Sequence, residues 1–307
     1  MQYITNNHCC QMVPELNNYF VGIMLVLASA SGFGLMPIFT KFVYQDGVST
    51  LTVLFLRFFF AAIFFFILLM VTKTEVRLSY RLLFGTLLVG GVFYMVQSIL
   101  YFNSVHYLTA SMVNLLFYAY PAMVTILAIV VNKEPLHRNV VLALMASLIG
   151  LVLVLGSGFS GLHKIGVLSA LGAALVYAIY ILISNLLVKE VSPIVTSTFV
   201  AMFASFSLLI AGLATDSISF DFSTTTWFPI MGIVLFSTVL AIYGLFKGLE
   251  IIGPTKAAIL STIEPLVTIL FGALLFMDHL SPIQWFGAAL VILGAVMVTK
   301  ARGQITK

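Results

Sequence analysis

Charged side chains are scarce in this chain. Asp, Glu, Lys and Arg make up 8% of its 307 residues, whereas a soluble domain carries about 25%. Hydrophobic residues reach 62%, and the mean hydropathy is +1.16. Because so few charges cannot cover a surface for water, that surface must face lipid. The composition therefore predicts an all-α polytopic membrane protein and excludes a soluble fold.

Cysteine is nearly absent as well. The two cysteines, Cys9 and Cys10, are adjacent, and this spacing rarely forms a disulfide and matches no metal-ligand pattern. S-palmitoylation is a weakly signalled alternative. We expect two ordinary thiols, with no disulfide framework and no metal site.

The chain also lacks the common signatures of catalysis. It contains no phosphate-binding P-loop, no His-Glu-x-x-His zinc motif and no Gly-x-Ser-x-Gly elbow. None of its five histidines falls within the core of an apolar run, which disfavours a histidine proton relay. Nothing resembles a carbonyl-lined selectivity filter. We therefore expect a protein that is not an enzyme and that uses no cofactor or metal.

What the sequence has instead is a series of long apolar runs. A helix needs about 20 mostly apolar residues to cross a bilayer. The sequence predicts ten such spans: Tyr19–Thr40, Leu51–Thr72, Leu82–Val105, Leu108–Val131, Val140–Gly156, Ile165–Val188, Ile194–Thr215, Trp227–Phe246, Ala257–Met277 and Pro282–Thr299. The connections between them are short, so any function must lie within the membrane. Residues 1–18 carry neither a basic n-region nor a cleavage site, so we expect the first span to be retained.

The ten spans consist of a five-span unit that occurs twice in the sequence. Residues in the two copies match at a constant offset of 144, without a gap, as the following pairs show: Gly22 and Gly166, Phe55 and Phe199, Phe102 and Phe246, Pro121 and Pro265, Gly150 and Gly294. Because five is odd, the second copy must enter the membrane from the opposite side. The sequence therefore predicts two inverted five-helix repeats, residues 19–157 and 164–300, between a lead-in (1–18) and a tail (301–307). Such repeats are typical of alternating-access transporters.

The positive charges are distributed unevenly across the predicted spans. With the N-terminus inside, every lysine and arginine except Lys41, Lys164 and Arg57 falls on the cytoplasmic side. This bias predicts that both termini are cytoplasmic, in an inner or plasma cell membrane. It also explains the net charge of +4 without a nucleic-acid partner.

Two prolines lie near the middle of spans four and nine. Pro121 and Pro265 occupy matching positions, and matched mid-membrane kinks point to a transporter site. A kink that serves only packing is the alternative, because membrane helices tolerate proline well. Pro37 is expected to kink the first span in the same way. The matched glycines Gly150 and Gly294 indicate close helix packing or a homodimer interface.

Two ionisable side chains fall well inside spans: Arg57 and Glu264. Such a group costs about 2.5–3.5 kcal/mol on insertion scales, so it usually faces a cavity or a partner. The two depths differ by only about 6 Å in a core about 30 Å thick, so a pair is geometrically allowed. Snorkelling or a structural hydrogen bond is the alternative for Arg57, and a structural partner is the alternative for Glu264. We favour Glu264 as a proton-coupling or cation-binding residue. Glu134 and Asp278, which occupy equivalent span ends, are interpreted as solvated charges.

A larger set of uncharged polar residues also lies within the spans. Its members would together form an aromatic, weakly polar pocket suited to small amphipathic metabolites; they are Tyr94, Gln97, Asn114, Tyr118, Tyr120, Tyr177, Tyr180, Tyr243 and Thr262. For each of them, an interfacial anchor or a hydrogen-bonded packing residue remains the alternative.

These features together resemble the EamA family of the drug/metabolite transporter superfamily. The resemblance rests on the ten spans in two copies, on Arg57 in "LRFFFAA", and on two runs, "YPAMVTILAIVVNKEPL" (Tyr120–Leu136) and "EPLVTILFGALLFMDHL" (Glu264–Leu280). Family members typically have a Glu-Pro pair within a helix that an acidic residue closes. The second half has both features, whereas the first half has Tyr120 before Pro121. The resemblance implies a secondary carrier with a central cavity between the halves, often an exporter of amino acids or other metabolites.

We therefore expect a secondary active transporter, an exporter or permease, of small metabolites such as amino acids. It would work by alternating access in the lipid bilayer, with a proton or another ion as the coupling partner. A passive channel or facilitator is one alternative, although the polar residues within the spans look too few for it. A lipid-modifying enzyme would need a His, Asp or Ser cluster at one interface, which the sequence does not show. A non-transporting membrane sensor subunit also remains open.

Overall fold

A computed structural model of the chain describes residues 7–76, 79–105, 107–108, 110–133, 137–155, 163–276 and 281–300. In these ranges every regular element is a helix. In chain order the helices are α1 (Asn7–Tyr44), α2 (Thr50–Val71), α3 (80–105), α4 (110–132), α5 (Arg138–Leu155), α6 (Lys164–Glu190), α7 (Pro193–Ala214), α8 (Thr224–Ile252), α9 (254–276) and α10 (Pro282–Lys300).

Nine of the described helices are long and apolar enough to cross a membrane. The remaining one, α5, is shorter over its described apolar stretch, Arg138–Val154, so length alone does not establish the predicted count of ten. Large apolar side chains such as Leu168 and Met70 are exposed on the outside of the bundle. In water this surface would be costly, whereas lipid solvates it. The protein is therefore a multi-pass membrane protein.

Four helices contain irregular turns. A π-helical turn, Leu88–Phe93, interrupts α3, and a second one, Leu235–Leu240, interrupts α8. In α4 the chain passes through Tyr118 and Ala119 between Ala110–Phe117 and Tyr120–Asn132. In α9 a 3-10 turn, Ser261–Ile263, separates Pro254–Leu260 from Glu264–Phe276. By contrast, α1 runs through Pro37 as one helix, and it begins at Asn7, within the predicted lead-in.

The helices pack in pairs that follow the sequence repeat. The most extensive contacts join α5 to α10, α2 to α7, α1 to α8 and α3 to α6. A shift by one repeat maps α5 to α10 and α2 to α7, so each of these pairs joins a helix to its own counterpart. The same shift converts the α1–α8 pair into the α6–α3 pair. The packing therefore has the pseudo-two-fold pattern of two related units.

Glycines allow the backbones of α5 and α10 to touch. A Cβ placed on Gly150 would lie 2.6 Å from the Gly287 carbonyl oxygen, and one placed on Gly294 would lie 2.7 Å from that of Ala143. Backbone atoms cannot move aside for a methyl group, so both positions require glycine. The matched glycines Gly150 and Gly294 therefore serve packing within one chain.

Candidate substrate site

The interruptions of α4 and α9 lie at equivalent positions. Each one directly precedes its repeated proline, Pro121 or Pro265. Proline lacks a backbone N–H, and its ring clashes with the carbonyl of the fourth preceding residue, so the regular helix cannot continue there. The result in both halves is a stretch of irregular backbone within a membrane-spanning helix.

Aromatic rings converge beside the interruption in α4. The ring centroids of Tyr120 and Tyr177 are 4.8 Å apart in an edge-to-face arrangement, and those of Phe117 and Tyr177 are 5.4 Å apart. Tyr177 also stacks on Tyr180 at 5.4 Å. Such offset and edge-to-face pairs are the favourable geometries for aromatic side chains. We call the connected rings the aromatic cluster, and its members are Tyr101, Phe117, Tyr118, Tyr120, Tyr177, Tyr180 and Phe246.

Glu264 brings a carboxyl group to this cluster. The Tyr118 hydroxyl donates toward this carboxyl. Glu264 and Tyr177 are both partly solvent-accessible. Within the described residues, no Lys, Arg or His nitrogen lies within 4.0 Å of the Glu264 carboxyl. The cluster therefore faces an acidic group that forms no salt bridge with another described residue.

The backbone of Glu264 is fixed by α1. Its carbonyl oxygen would lie 2.6 Å from a Cβ on Gly34, so only glycine permits this approach of the two helices. One helical turn after Glu264, the Thr268 hydroxyl donates to the Gly34 carbonyl oxygen at 2.7 Å. These contacts hold the start of the second segment of α9 firmly against α1. The position of the carboxyl is therefore set by the packing of the two halves.

Arg57 does not pair with Glu264. Its guanidinium is only 2% exposed, and Nη1 donates to the Met36 sulfur at 2.8 Å. The guanidinium carbon lies 4.7 Å from the Phe58 ring centroid and 5.9 Å from that of Tyr94. The Nε group is buried without a hydrogen-bond partner. The ion pair that the sequence allowed is therefore absent here, although the two charges are close enough to interact electrostatically.

The other predicted site residues do not all lie at the aromatic cluster. Asn114 accepts a hydrogen bond of 2.5 Å from the Tyr101 hydroxyl at the edge of the aromatic cluster. Gln97 is partly buried, and no described residue hydrogen-bonds its side chain. The Thr262 hydroxyl donates to the Ile259 carbonyl oxygen of its own helix at 2.7 Å, which leaves it less available to a ligand. Tyr243 packs against the hydrophobic core. Two predicted helix-end acids, Glu134 and Asp278, lie outside the described residues.

Sequence reasoning missed four members of this region, Tyr101, Phe117, Phe246 and Met36. Tyr101 follows Tyr94 and Gln97 at helical spacing, so the periodicity of α3 would have placed it on the same face. Phe117 is adjacent to a predicted residue, but its apolar side chain gave no polar signal. Met36 could not have been identified, since nothing in a methionine beside a proline indicates an arginine partner. In the part of the chain that the structure describes, no group of three or more His, Cys, Asp or Glu side chains could hold a metal ion.

Comparison with known proteins adds the family. The EamA-like transporter family matches residues 20–156 and again residues 164–300. The chain is 35% identical over 136 residues to the uncharacterized transporter YwfM of Bacillus subtilis (strain 168), which covers 44% of this chain and 46% of that protein. It is 25% identical over 217 residues to YetK of the same organism, also an uncharacterized transporter, which covers 68% and 64%. The matches thus span about half to two-thirds of these relatives.

Two further similarities extend over more of the chain. An uncharacterized transporter of Archaeoglobus fulgidus is 27% identical over 263 residues, which cover 86% of this chain and 92% of that protein. A solved crystal structure aligns over 91% of this chain and 96% of its own with a TM-score of 0.78 and 17% identity, which shows a shared fold. Because the family matches both copies, this chain belongs to the EamA-like transporter family of the drug/metabolite transporter superfamily.

Proposed function

We propose that this protein is a secondary active carrier of small zwitterionic metabolites such as amino acids. The observation that carries the proposal is the partly accessible Glu264 side chain, which lies beside the aromatic cluster and forms no salt bridge within the described residues. A buried carboxylate needs a partner, and a substrate ammonium group supplies one. The cluster would then receive the apolar part of the substrate.

Arg57 supplies the complementary charge. Its Nε group has no partner in the described structure, and an unsatisfied buried donor costs free energy. A substrate carboxylate would satisfy this donor through a charge-assisted hydrogen bond. An α-amino acid carries both an ammonium group and a carboxylate, so it complements Glu264 and Arg57 together. A simple cation would leave the arginine without a partner.

Alternating access is supported by the symmetry of the scaffold. Helix pairs follow the 144-residue repeat, and α4 and α9 are interrupted at matching positions. We propose that two inverted five-helix repeats, residues 19–157 and 164–300, rock about the site, with α5 as the tenth span. The irregular turns would absorb the change in helix direction. An empty site would bind a proton at Glu264, and the substrate ammonium would replace it.

Orientation and assembly complete the proposal. The excess of lysine and arginine at one set of helix ends supports cytoplasmic termini in the cell membrane. Every group named in the site comes from one chain, so transport does not require a homodimer. The mass of the purified protein in detergent, measured by light scattering, would test that expectation.

Transport by purified protein tests the function directly. In proteoliposomes loaded with one unlabelled amino acid at a time, labelled counterflow identifies substrates, and concentrative uptake under an imposed proton gradient separates a carrier from a passive facilitator. We expect concentrative uptake, and we expect its loss in Glu264→Gln. Glu250→Gln is the matched control, because Glu250 is exposed in a surface ion pair with Lys247. Uptake that only equilibrates, or full coupling in Glu264→Gln, would contradict the proposal.

A further inference from the structure

A second cavity lies at the far end of α1, away from the candidate substrate site. It is an open cavity of about 440 Å³ between the end of α1 and the start of α8, a volume within the range of small-molecule sites. Its apolar wall is formed by Phe39, Phe42, Phe228 and Pro229, and Asp46 with Thr226 forms a polar edge. The cavity therefore combines an apolar wall with a single acidic group.

The cavity is distinct from the site at Glu264. Phe39 lies five residues beyond Gly34, the residue that contacts Glu264, which corresponds to about 7.5 Å along the helix. Asp46 lies beyond Tyr44, where α1 ends. The acidic edge of the cavity thus sits at a helix end, where the headgroups of a bilayer meet a membrane protein. The apolar wall continues from there toward the acyl region.

The exposure of the wall residues indicates contact with lipid. The Phe228 side chain is 81% exposed and that of Phe42 is 42% exposed, so part of the wall opens to the surroundings of the bundle. Aromatic side chains at this depth commonly contact the interfacial part of lipids. The Asp46 carboxylate accepts a hydrogen bond from the Thr226 hydroxyl, which orients it at the edge of the cavity. Asp46 itself is exposed.

We propose that this cavity binds a phospholipid with an ethanolamine headgroup. The primary ammonium would donate N–H hydrogen bonds to Asp46, and an acyl chain would lie along Phe39, Phe42 and Phe228. Charge complementarity selects this lipid, because a carboxylate repels anionic headgroups, and a choline headgroup has no N–H donor. The inference requires only that the protein resides in a membrane. It is therefore independent of the proposed transport activity.

Lipid retention by the full-length protein tests the proposal. The protein is reconstituted in phosphatidylcholine nanodiscs that contain a minor fraction of phosphatidylethanolamine, its mono- or dimethyl derivative, or phosphatidylglycerol, and the lipids it retains in mild detergent are counted by native mass spectrometry. We expect phosphatidylethanolamine to be enriched over bulk by about threefold, the scale of a partly exposed ion pair. Enrichment should fall with each added methyl group. Equal retention of all headgroups, or enrichment of phosphatidylglycerol, would overturn the proposal.

Variants locate the binding group. Asp46→Asn should reduce the enrichment to the bulk ratio, whereas Asp221→Asn, which removes another exposed acid near the start of α8, should leave it unchanged. Thr226→Val removes the hydrogen bond to Asp46 but keeps the carboxylate, so enrichment should persist. Retained enrichment in Asp46→Asn would overturn the assignment. The methylation series uses the unaltered protein, so the proposal stays testable even if Asp46→Asn does not fold.

Discussion

The two halves of the molecule share a scaffold but differ in chemistry. Glu264 corresponds to Tyr120 in the first half, and Arg57 corresponds to Ala201 in the second. Met36, which accepts from Arg57, is the counterpart of Tyr180 in the aromatic cluster. The two halves share the kink prolines Pro121 and Pro265, the packing glycines Gly150 and Gly294, and the helix pairs, whereas neither charged group at the site has a charged counterpart. The repeat thus preserves the helix packing, whereas each of the two buried charges belongs to one half alone.

The largest expected effect comes from the position that differs most between the halves. Glu264→Gln should reduce initial transport rates by about 100-fold or more, because it removes one partner of a buried charged contact. Tyr120→Phe, at the equivalent position, removes only a hydroxyl and should cost about fivefold. Labelled counterflow in proteoliposomes measures both. Similar losses in the two variants would mean that the halves contribute equally to binding.

The π-helical turns offer the next test, which concerns stability. A Cβ on Gly90, in the turn of α3, would lie 2.2 Å from the Val200 carbonyl oxygen, whereas one on Gly172 would meet only the Leu100 side chain at 3.4 Å. Gly90→Ala should therefore destabilise the protein by about 2 kcal/mol. Gly172→Ala should be neutral or stabilise it by up to about 1 kcal/mol. Thermal melting in detergent compares the stability of the two variants. A melting temperature that shifts in the same direction in both would contradict the close approach of Gly90 to Val200.

The paired prolines test whether the halves move alike. Alanine at Pro121 or Pro265 restores a backbone donor and removes the ring clash, so the regular helix can extend through the interruption. We expect slower exchange, by about threefold in each variant, together with a higher melting temperature, since a hinge becomes stiffer. Counterflow rates and melting curves of the two single variants provide the comparison. A slowdown confined to Pro265→Ala would assign the motion to the second half.

The smallest expected effects compare polar contacts at equivalent positions of α3 and α8. Asn103 donates to the Ser169 hydroxyl oxygen at 2.8 Å, and its counterpart Lys247 forms an ion pair with Glu250. Asn103→Ala should cost about 1 kcal/mol in stability, because its contact is partly buried. Lys247→Ala should cost about 0.3 kcal/mol, because its pair is exposed. Melting temperatures of the two variants measure these losses of stability. An equal loss in both would contradict the expectation that the more buried contact contributes more.

Much of this architecture could be predicted from the sequence because its signals are local. A run of apolar residues indicates a spanning helix whatever it contacts, and a constant offset indicates duplication without knowledge of the fold. The length of α5 shows the limit of this reasoning, since the predicted span Val140–Gly156 is short as a described helix. The start of α1 at Asn7 shows another limit, because polar residues can extend a helix beyond its apolar run.

The chemistry of the site was less predictable because it depends on contacts between distant segments. Glu264, Tyr118, Tyr177 and Tyr180 were identified as candidates, and the structure brings them together. The partner of Arg57 was not predictable, since Met36 is 21 residues away on another helix and meets it only in the folded structure. The π-helical turns also escaped prediction. A single inserted residue changes helix geometry without changing the apolar pattern that identifies the span.

The pairing of α5 with α10 and of α2 with α7 has a further consequence. Each contact joins a helix to its own repeat counterpart, so two identical five-helix chains could make both contacts with each other. The contacts are therefore of the kind that a homodimer of half-length chains would form. Because the two halves are covalently linked, every molecule contains one copy of each half. Co-expression of residues 1–157 and 158–307 as separate polypeptides should accordingly reassemble a working transporter.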